Sequence, residues 1–510
     1  MPDTIERDYP STPTTATAAT VVADEGKDTA AYSYDNDTPP LYPPNEKDMA
    51  YVHQKADDDA EAAVEAADPP LPTPAPTPYG PAPDGGVAAW RAVAGLFFAS
   101  FVQFGIANSY GVFQAYYETG PLKHYKADTI SWIGATQQFI LFFASMFAGR
   151  AFDAYGAHAI LLPGSVCLCL SLFMISLCKE YYQFMLAQGI LFGVGSSMIF
   201  TTVISTPQQW FDKKRALAGS VAICGSGLGG TVWPIAMQRL FRQIGFGWTL
   251  RTVGFIAIAL LAVSNALVRT RLPRRKPTPL RGFHKPLISE WPFFLFTCST
   301  SLCCWGMFTP FFYISVYARH LGATATLAFY CVSFMNAGST LGRLFAFIGD
   351  RFGRYNVLII NTYLTAIFLL GFWAGLPAPS AATAAQVAAE TAAGPNGTGG
   401  LGKANSSVGA LIAFGVLFGF TVGMIISMIP PCIAHISKPH EIGTRIGVMY
   451  TVMSAFTLSG PPINGVLMVK YPGTTGFRAV GLFSGFSLLV GAFFATAARL
   501  ALNRKIRAIL

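Results

Sequence analysis

One arginine stands alone inside a long apolar run. Arg343 lies in the apolar segment 327–348, and no other basic residue falls well inside such a segment. A charge buried in a bilayer is costly unless it faces a partner, water or a substrate, and a guanidinium can bind a carboxylate through two parallel hydrogen bonds. We therefore predict that Arg343 binds substrate. The alternative is that Arg343, which precedes Asp350 by two helical turns, extends toward the nearer membrane surface or pairs with groups there.

Two loops repeat one spacing of an acidic residue and a glycine. Asp153 precedes Gly156 by three residues, and Asp350 precedes Gly353 by three. This spacing places a carboxylate at the end of a helix, where it can meet helix dipoles and basic side chains, and a glycine where the chain turns tightly. We predict that these loops form a gate. The predicted gating residues are Asp153, Gly156, Arg215, Asp350, Gly353 and Arg354.

The elements that position these residues follow from composition. The 510 residues are 52% hydrophobic and only 12% charged, whereas an average soluble domain is about 25% charged. We divide the apolar runs at charged or Pro/Gly-rich segments into spans, each near the about 20 residues that cross a bilayer. The fold class is therefore an all-α membrane protein with twelve transmembrane helices. The predicted spans are 88–112, 131–151, 158–178, 183–206, 216–237, 248–268, 292–316, 327–348, 355–376, 408–434, 446–468 and 479–498.

Basic residues predict the orientation of these spans. Residues 1–86 hold 17 acidic and 4 basic side chains, and the rest of the chain holds 9 acidic and 31 basic. Lys and Arg near span ends are retained in the cytoplasm, and an amino terminus inside places 20 basic residues inside and 10 outside. Both termini are thus predicted to be cytoplasmic. The basic clusters lie between apolar runs, so we predict no nucleic-acid partner.

The spans divide the chain into regions. A basic, Pro-containing linker separates two six-helix halves, and the longest outer loop carries glycosylation sequons at Asn396 and Asn405; each sequon could also occur by chance. The acidic segment has too little apolar content for a core and is predicted to be disordered. The predicted regions are a cytoplasmic tail 1–86, a first half 87–268, a linker 269–291, a second half 292–498 with outer loop 377–407, and a cytoplasmic tail 499–510.

Several kinds of chemistry are not indicated. The nine cysteines lie in apolar stretches without a ligand-type CxxC pair, so we predict no metal site and no disulfide framework. The seven histidines form no HExxH motif, and we predict no catalytic residues and no enzyme activity. The glycines between Gly225 and Gly230 lack the strand and the Lys-Ser/Thr pair of a nucleotide loop, so close helix packing explains them better. No cofactor is predicted.

The repeated loops resemble the signature loop of the major facilitator superfamily. The second copy, Gly349–Arg354, matches better than the first, Gly149–Gly156. Asp84–Trp90 resembles the entry motif of the monocarboxylate transporter family, and Trp210–Gly219 is similar to the basic turn that precedes the fifth span in that family. The resemblance covers about residues 84–500 and is to the fungal branch, whose members include uptake permeases and exporters that sit beside biosynthetic genes.

The resemblance implies roles for particular positions. It places Arg343 where the family has its substrate-carboxylate arginine. Ser339 stands where the family has an acidic residue that participates in proton coupling, and Asn108 stands where it has a lysine. Neither replacement titrates near neutral pH. The usual coupling pair is therefore not supported here, and a larger or less acidic substrate is favoured.

Other polar residues in apolar spans are candidates for a central site. Interhelical hydrogen bonding is an equally good explanation for any one of them. Gln137 and Gln138 belong to this group. The predicted substrate-binding residues are Arg343, Asn108, Tyr110 and Asn336.

The sequence as a whole predicts a secondary transporter. It would move a small, carboxylate-bearing organic acid or metabolite by alternating access, with export of a secondary metabolite as the favoured direction. Proton-coupled uptake of a monocarboxylate or vitamin-like nutrient is the alternative, and a non-transporting nutrient sensor is the alternative from another class. The predicted partners are the small molecule and the lipid bilayer, with no protein partner. The predicted location is the plasma membrane, and a vacuolar membrane fits the same topology.

Overall fold

A computed structural model describes residues 82–274, 289–376 and 406–503. Within these ranges the chain forms helices and no strand. The predicted sequons at Asn396 and Asn405 lie outside the described residues, as do nearly all of the predicted amino-terminal tail and most of the predicted linker. Helices are the expected element here because a bilayer offers no water to backbone groups, and a helix satisfies those groups within one segment.

Eleven of the described helices are long and apolar enough to cross a membrane. We number them in chain order and call α1–α5 the first half and α6–α11 the second half. They are α1 (Val87–Thr119), α2 (Thr129–Tyr155), α3 (His158–Ile175), α4 (Tyr181–Trp210), α5 (Arg215–Leu267), α6 (Trp291–His320), α7 (Leu327–Phe352), α8 (Arg354–Trp373), α9 (Ser407–His435), α10 (Ile442–Lys470) and α11 (Thr474–Leu502).

The segment α5 contains a kink. The sequence predicts two spans, 216–237 and 248–268, and the 53 residues of α5 form two helices that join at this kink. Its backbone leaves helical geometry at Gly245, with φ 76° and ψ 168°. Glycine adopts a positive φ without steric penalty because it has no β-carbon. Each arm, 215–244 and 246–267, exceeds the about 20 residues that a bilayer crossing needs.

Several helices extend beyond the apolar runs that predict them. The predicted first span ends at residue 112, whereas α1 continues to Thr119. Its last turns are stabilised by polar contacts one turn apart, such as Gln114 Nε2 donating to Glu118 Oε1 at 2.8 Å. Hydropathy detects the part of a helix that faces hydrocarbon, so it misses such polar extensions.

The first helix of each half is interrupted near its middle. The structure breaks α1 at Ser109 and α6 at Phe308. Next to each break a hydroxyl donates to the carbonyl four residues earlier: Ser109 Oγ to Gly105 at 2.8 Å, and Thr309 Oγ1 to Trp305 at 3.0 Å. Such bonds compete with the helix ladder and bend helices. The apolar pattern of the sequence predicts neither break.

Glycines bring the halves together and pack α5 on both of its faces. A β-carbon at Gly225 would overlap the Phe97 carbonyl of α1, whereas one at Gly227 would overlap Thr340 Oγ1 of α7. One side of α5 therefore packs within the first half and another packs against the second half. A second close approach lies between α2 and α10, where a β-carbon at Gly149 would overlap the Gly443 carbonyl. The predicted close packing of the α5 glycines is thus observed at these contacts.

Candidate functional site

A large cavity separates the two halves. Its volume is about 1500 Å³, above the about 300–1,000 Å³ of common ligand pockets. Residues of α1, α2 and α5 line one side, and residues of α6, α7 and α10 line the other. The cavity reaches Thr119 and Lys470, which end α1 and α10, and Arg242, which lies near the kink in α5. We call this the open end, and we call the opposite one, where Asp153 and Asp350 lie, the closed end.

Arg343 lines the cavity from α7. It is 6% exposed, and its Nε and Nη1 atoms are buried without a hydrogen-bond partner. Gly227 of α5 lies against the guanidinium, because a β-carbon there would be 2.7 Å from Nη1. Within the described residues no carboxylate pairs with Arg343, and Asp350 is bonded to other groups. Arg343 therefore directs unpaired donors into the interface between the halves.

Two asparagines from opposite halves meet at Gly230. A β-carbon at that glycine would lie 3.2 Å from Asn108 Nδ2 and 3.1 Å from Asn336 Oδ1. Asn336 also donates from Nδ2 to the Val332 carbonyl at 3.1 Å. Both asparagines line the cavity. The structure thus gathers Arg343, Asn108 and Asn336 along one glycine-rich face of α5.

Tyr110 also lines the cavity, but its hydroxyl is already bonded. The hydroxyl donates to the Ile130 carbonyl of α2 at 2.7 Å. Its ring lies so close to Gly134 that a β-carbon there would overlap it. Tyr110 therefore ties α1 to α2 just after the break in α1. Gln137 and Gln138 of α2 line the same cavity.

Most of the cavity wall is apolar, and much of it is aromatic. Phe308, Phe311 and Phe312 lie at and after the break in α6 and contribute to this wall. Phe142 and Tyr450, one from each half, stack with ring centroids 5.4 Å apart and line the cavity as well. Such a wall suits an apolar ligand body, and the few polar groups fix its orientation.

At the closed end, Asp153 of α2 binds the first turn of α10. Its carboxylate accepts from Gly443 N at 3.0 Å, from Thr444 N at 2.6 Å and from Thr444 Oγ1 at 2.7 Å. The first N–H groups of a helix have no partner within the helix, and the dipole favours an anion there. We call this contact across the halves the Asp153 contact.

Asp350 of α7 makes the equivalent contact in the opposite direction. Its carboxylate accepts from Ala216 N at 3.1 Å and Leu217 N at 3.0 Å, in the first turn of α5. Arg354 holds the same carboxylate with a 3.1 Å ion pair and also donates to the Asp212 carbonyl of the other half. We call this set the Asp350 contact. The closed end is therefore joined by two helix starts, each capped from the opposite half.

The remaining predicted gating residues have local roles. Gly156 and Gly353 adopt φ of 85° and 92°, so each allows the tight turn that follows its aspartate. Arg215 donates from Nε to the Phe211 carbonyl at 2.9 Å and pairs with Asp212 at 3.3 Å, both in its own half. The structure thus brings the backbone after Arg215, and not its side chain, to Asp350.

A protein-family model decides the relationship of the chain to known proteins. The model for the Major Facilitator Superfamily matches residues 92–398. The chain belongs to the Major Facilitator Superfamily. This result agrees with the superfamily-level resemblance of the two repeated loops.

Relatives within the superfamily are transporters. The MFS-type transporter opdF of Penicillium oxalicum is 38% identical over 424 residues, which are 82% of this chain and 92% of that protein. The aspyridones efflux protein apdF of Emericella nidulans is 38% identical over 425 residues, 82% of this chain and 79% of that protein. The crystal structure of the human organic anion transporter MFSD10 (TETRAN) matches 80% of this chain and 99% of its own, with a TM-score of 0.59 and 13% identity, which shows the fold alone. The protein described here is therefore a multi-pass membrane transporter of a small molecule.

Two carboxylates stabilise this MFS transporter within its halves, and neither is among the predicted site residues, although Asp84 belongs to the predicted entry motif. Asp84 Oδ1 accepts from Asp212 N at 2.6 Å and from Lys213 N at 2.7 Å, just before α5. Glu290 binds Arg445 at the start of α10 through two bonds, 2.7 Å and 2.8 Å long. Glu290 directly precedes the first helix of its half, and Asp84 is followed by two glycines and then by the first helix of the other half. That similar position is the signal that could have revealed them.

No metal centre emerges from the described ranges. Among those residues no group of three or more His, Cys, Asp or Glu side chains is placed to hold a metal ion. All nine cysteines are described, and all are free thiols. The groups that line the cavity include three basic side chains, several amides and many aromatic rings.

Proposed function

We propose that the protein exports a bulky, amphipathic organic acid by alternating access, and that Arg343 binds the acidic group. One observation carries this proposal: a buried guanidinium with two unpaired nitrogens lines a large apolar cavity between the halves. A buried charge without a partner is strongly destabilising. A bound carboxylate or acidic enol of the substrate would pair with the Arg343 guanidinium through charge-assisted hydrogen bonds.

The size of the cavity favours a bulky substrate over a small one. Its about 1500 Å³ exceeds the volume that sites for drug-sized ligands need. A small monocarboxylate would leave most of the aromatic wall, including Phe308 and Phe311, in contact with water. Asn108 and Asn336 are placed to form hydrogen bonds with polar groups of the substrate near its acidic group. These bonds would fix the orientation of the substrate.

Export is the direction that the relatives favour. A protein 38% identical to this chain is described as an efflux protein for aspyridones, and we extend the efflux role, though not that substrate, to this chain. We also propose that it lies in the branch that resembles monocarboxylate porters, because Asp84–Trp90 carries that branch's entry motif.

The proposed topology places the closed end in the cytoplasm. Arg150, Arg351 and Lys438 lie near that end, as the rule that basic loops stay inside requires. Counting the two arms of α5 separately gives twelve spans with both termini cytoplasmic. The cavity would then face outward in this structure. The plasma membrane is the proposed location, and a vacuolar membrane fits the same orientation.

Alternating access would require the Asp153 and Asp350 contacts to break. The cavity would then open at the present closed end while its open end closes, as a rocking motion of two halves produces. The gating role of Asp153, Asp350 and Arg354 follows from their position across the halves. We propose no catalytic step in this cycle.

Flux in proteoliposomes tests the proposal. Purified full-length protein is reconstituted, and transport of acetate, nicotinate and 9-anthracenecarboxylate is compared at one pH with that of empty liposomes. We expect transport of the anthracene acid to exceed that of the two smaller acids. Arg343→Gln should reduce it at least about tenfold, the loss of one charge-assisted contact of about 1.5–3 kcal/mol.

Arg251→Gln is the matched control. Arg251 lies on α5 over the ring of Trp248 and contacts Ser176, away from the cavity lining, so its replacement should leave flux unchanged. Equal losses in both variants would contradict the role of Arg343. Preferred transport of acetate or nicotinate would favour nutrient uptake, and binding without flux in folded protein would favour a sensor.

A further inference from the structure

The charged groups of the cavity are all of one sign. Among the described residues that line it, Arg242, Arg343 and Lys470 are basic, and none is Asp, Glu or His. The other titratable lining side chains are tyrosines, namely Tyr110, Tyr116, Tyr313 and Tyr450. No side chain of these types ordinarily changes its charge between about pH 5 and pH 8. The cavity wall therefore keeps a fixed positive charge over the physiological range.

The groups that pack around Arg343 do not change this result. Gly227 of α5 and Thr340 of α7 lie next to Arg343. The Cys224 thiol of α5 donates to the Thr340 carbonyl at 3.9 Å. On α9, Ile426 and Ile429 line the same cavity. None of these residues carries a carboxylate or an imidazole that could exchange a proton with the cavity.

The described carboxylates nearest to the cavity lie outside its lining. Asp153 and Asp350 lie at the closed end, and each accepts backbone N–H bonds from the opposite half. Glu118 accepts from Gln114 on the exposed end of α1. Within the described ranges no carboxylate lies along the cavity where it could bind substrate and proton in turn.

We propose that the transporter carries an organic anion with no coupled proton, so that the membrane potential alone drives the anion out of the cell. This inference rests on the proposed function and adds its energy source. One negative charge crosses per cycle, and no proton moves in either direction. Because a cell interior is negative, a monoanion is favoured outside by about fifty-fold per 100 mV, from about 2.3 kcal/mol per charge.

No part of the structure then has to impose a direction on transport. A fixed positive cavity attracts anions from whichever side it faces. The potential and the concentration ratio of the anion together decide the net direction, and the potential favours export across a plasma membrane and entry into a vacuole whose lumen is positive. A carboxylate in the wall would repel the anion and would link each turnover to pH, and the described wall has none.

The test uses a probe that cannot carry a proton. Proteoliposomes of the full chain are loaded with radiolabelled naphthalene-1-sulfonate, whose charge is permanent near neutral pH. Potassium gradients with valinomycin set the potential, and buffers set a pH gradient separately at zero potential. We expect the final ratio of probe on the positive side to the negative side to change about tenfold per about 60 mV. A pH gradient at zero potential should leave the ratio at one.

Each other result contradicts the inference in a distinct way. A ratio that follows the pH gradient at zero potential would show proton coupling. Flux of 9-anthracenecarboxylate without flux of the sulfonate would leave the proposed function standing and overturn the proton-free mechanism. If neither probe moves in folded protein, the proposed function fails together with this inference. Uncharged naphthalene-1-sulfonamide is the control, and its distribution should ignore the potential.

A single substitution should create the pH dependence that the native wall lacks. Asn336→Asp adds a carboxylate of nearly the same shape to the cavity. We expect sulfonate flux in this variant to fall severalfold as pH rises and the new carboxyl ionises. Asn361→Asp is the matched control, because Asn361 also donates to a carbonyl one turn earlier, at 2.8 Å, but lies outside the cavity lining. A pH response of equal size in both variants, or in neither, would contradict the proposed role of the wall.

Discussion

The Asp153 and Asp350 contacts both join the two halves at the closed end, but they use different additional side chains. Both carboxylates accept two backbone N–H groups from the first turn of a helix in the opposite half. The Asp153 contact adds the Thr444 hydroxyl, and the Asp350 contact adds the Arg354 guanidinium. The shared part uses backbone donors that any sequence supplies, so the repeat tolerates change in the additional side chain. The Asp350 contact should therefore be the stronger one, because its extra partner is charged.

Asp350→Asn should have the largest effect. It removes the charge that holds Arg354, and both side chains of that ion pair are only 12% exposed. Loss of one member of a shielded pair costs about 3 kcal/mol, or roughly a hundredfold in the ratio of closed to open molecules. The measurement is the distance between spin labels at Tyr155→Cys and Phe352→Cys, which lie exposed at the closed end of each half.

Asp153→Asn should have a smaller effect of the same sign. An amide nitrogen would face a backbone N–H, and the charge on the helix start would be lost, but no cation is left unpaired. We expect a cost of about 2 kcal/mol, which lowers the ratio of closed to open molecules roughly thirtyfold in the same spin-label measurement. Glu118→Gln at the open end is the control and should leave the distance unchanged. An Asp153 effect larger than that at Asp350 would overturn the ranking of the two contacts.

Thr444→Val should have the smallest effect. It removes the hydroxyl bond to Asp153 and leaves the two backbone bonds and the side-chain shape. One such bond is worth about 1 kcal/mol, so the ratio of closed to open molecules should fall about fivefold. A null result here, together with a large result for Asp153→Asn, would mean that the backbone donors alone supply the contact.

Much of the architecture could be predicted from the sequence because apolar runs and repeated turns report it directly. The turn glycines Gly156 and Gly353 follow from spacing alone. The partners of the two aspartates could not be predicted, because backbone N–H groups leave no mark on residue type. For the same reason the prediction assigned Arg215 to the gate by its charge, whereas the contact uses the peptide groups that follow it.

The candidate cavity was predictable in part. Arg343, Asn108, Tyr110 and Asn336 stand out as polar residues in apolar spans, and all four line the cavity. Their neighbours Gly227 and Gly230 indicate only close packing, since a glycine does not show which side chain will occupy the space it leaves. The breaks in α1 and α6 depend on hydroxyl bonds to carbonyls, which serine and threonine form in many straight helices as well.

The approach of Gly149 to Gly443 has a consequence for the cell that carries this protein. At this point the two halves touch backbone to backbone, with no room even for a methyl group. A file of water molecules, which would conduct protons, cannot pass through that contact. We expect the closed end, of which this contact is a part, to block the path of water along which protons would cross, so that the membrane potential is not dissipated between turnovers.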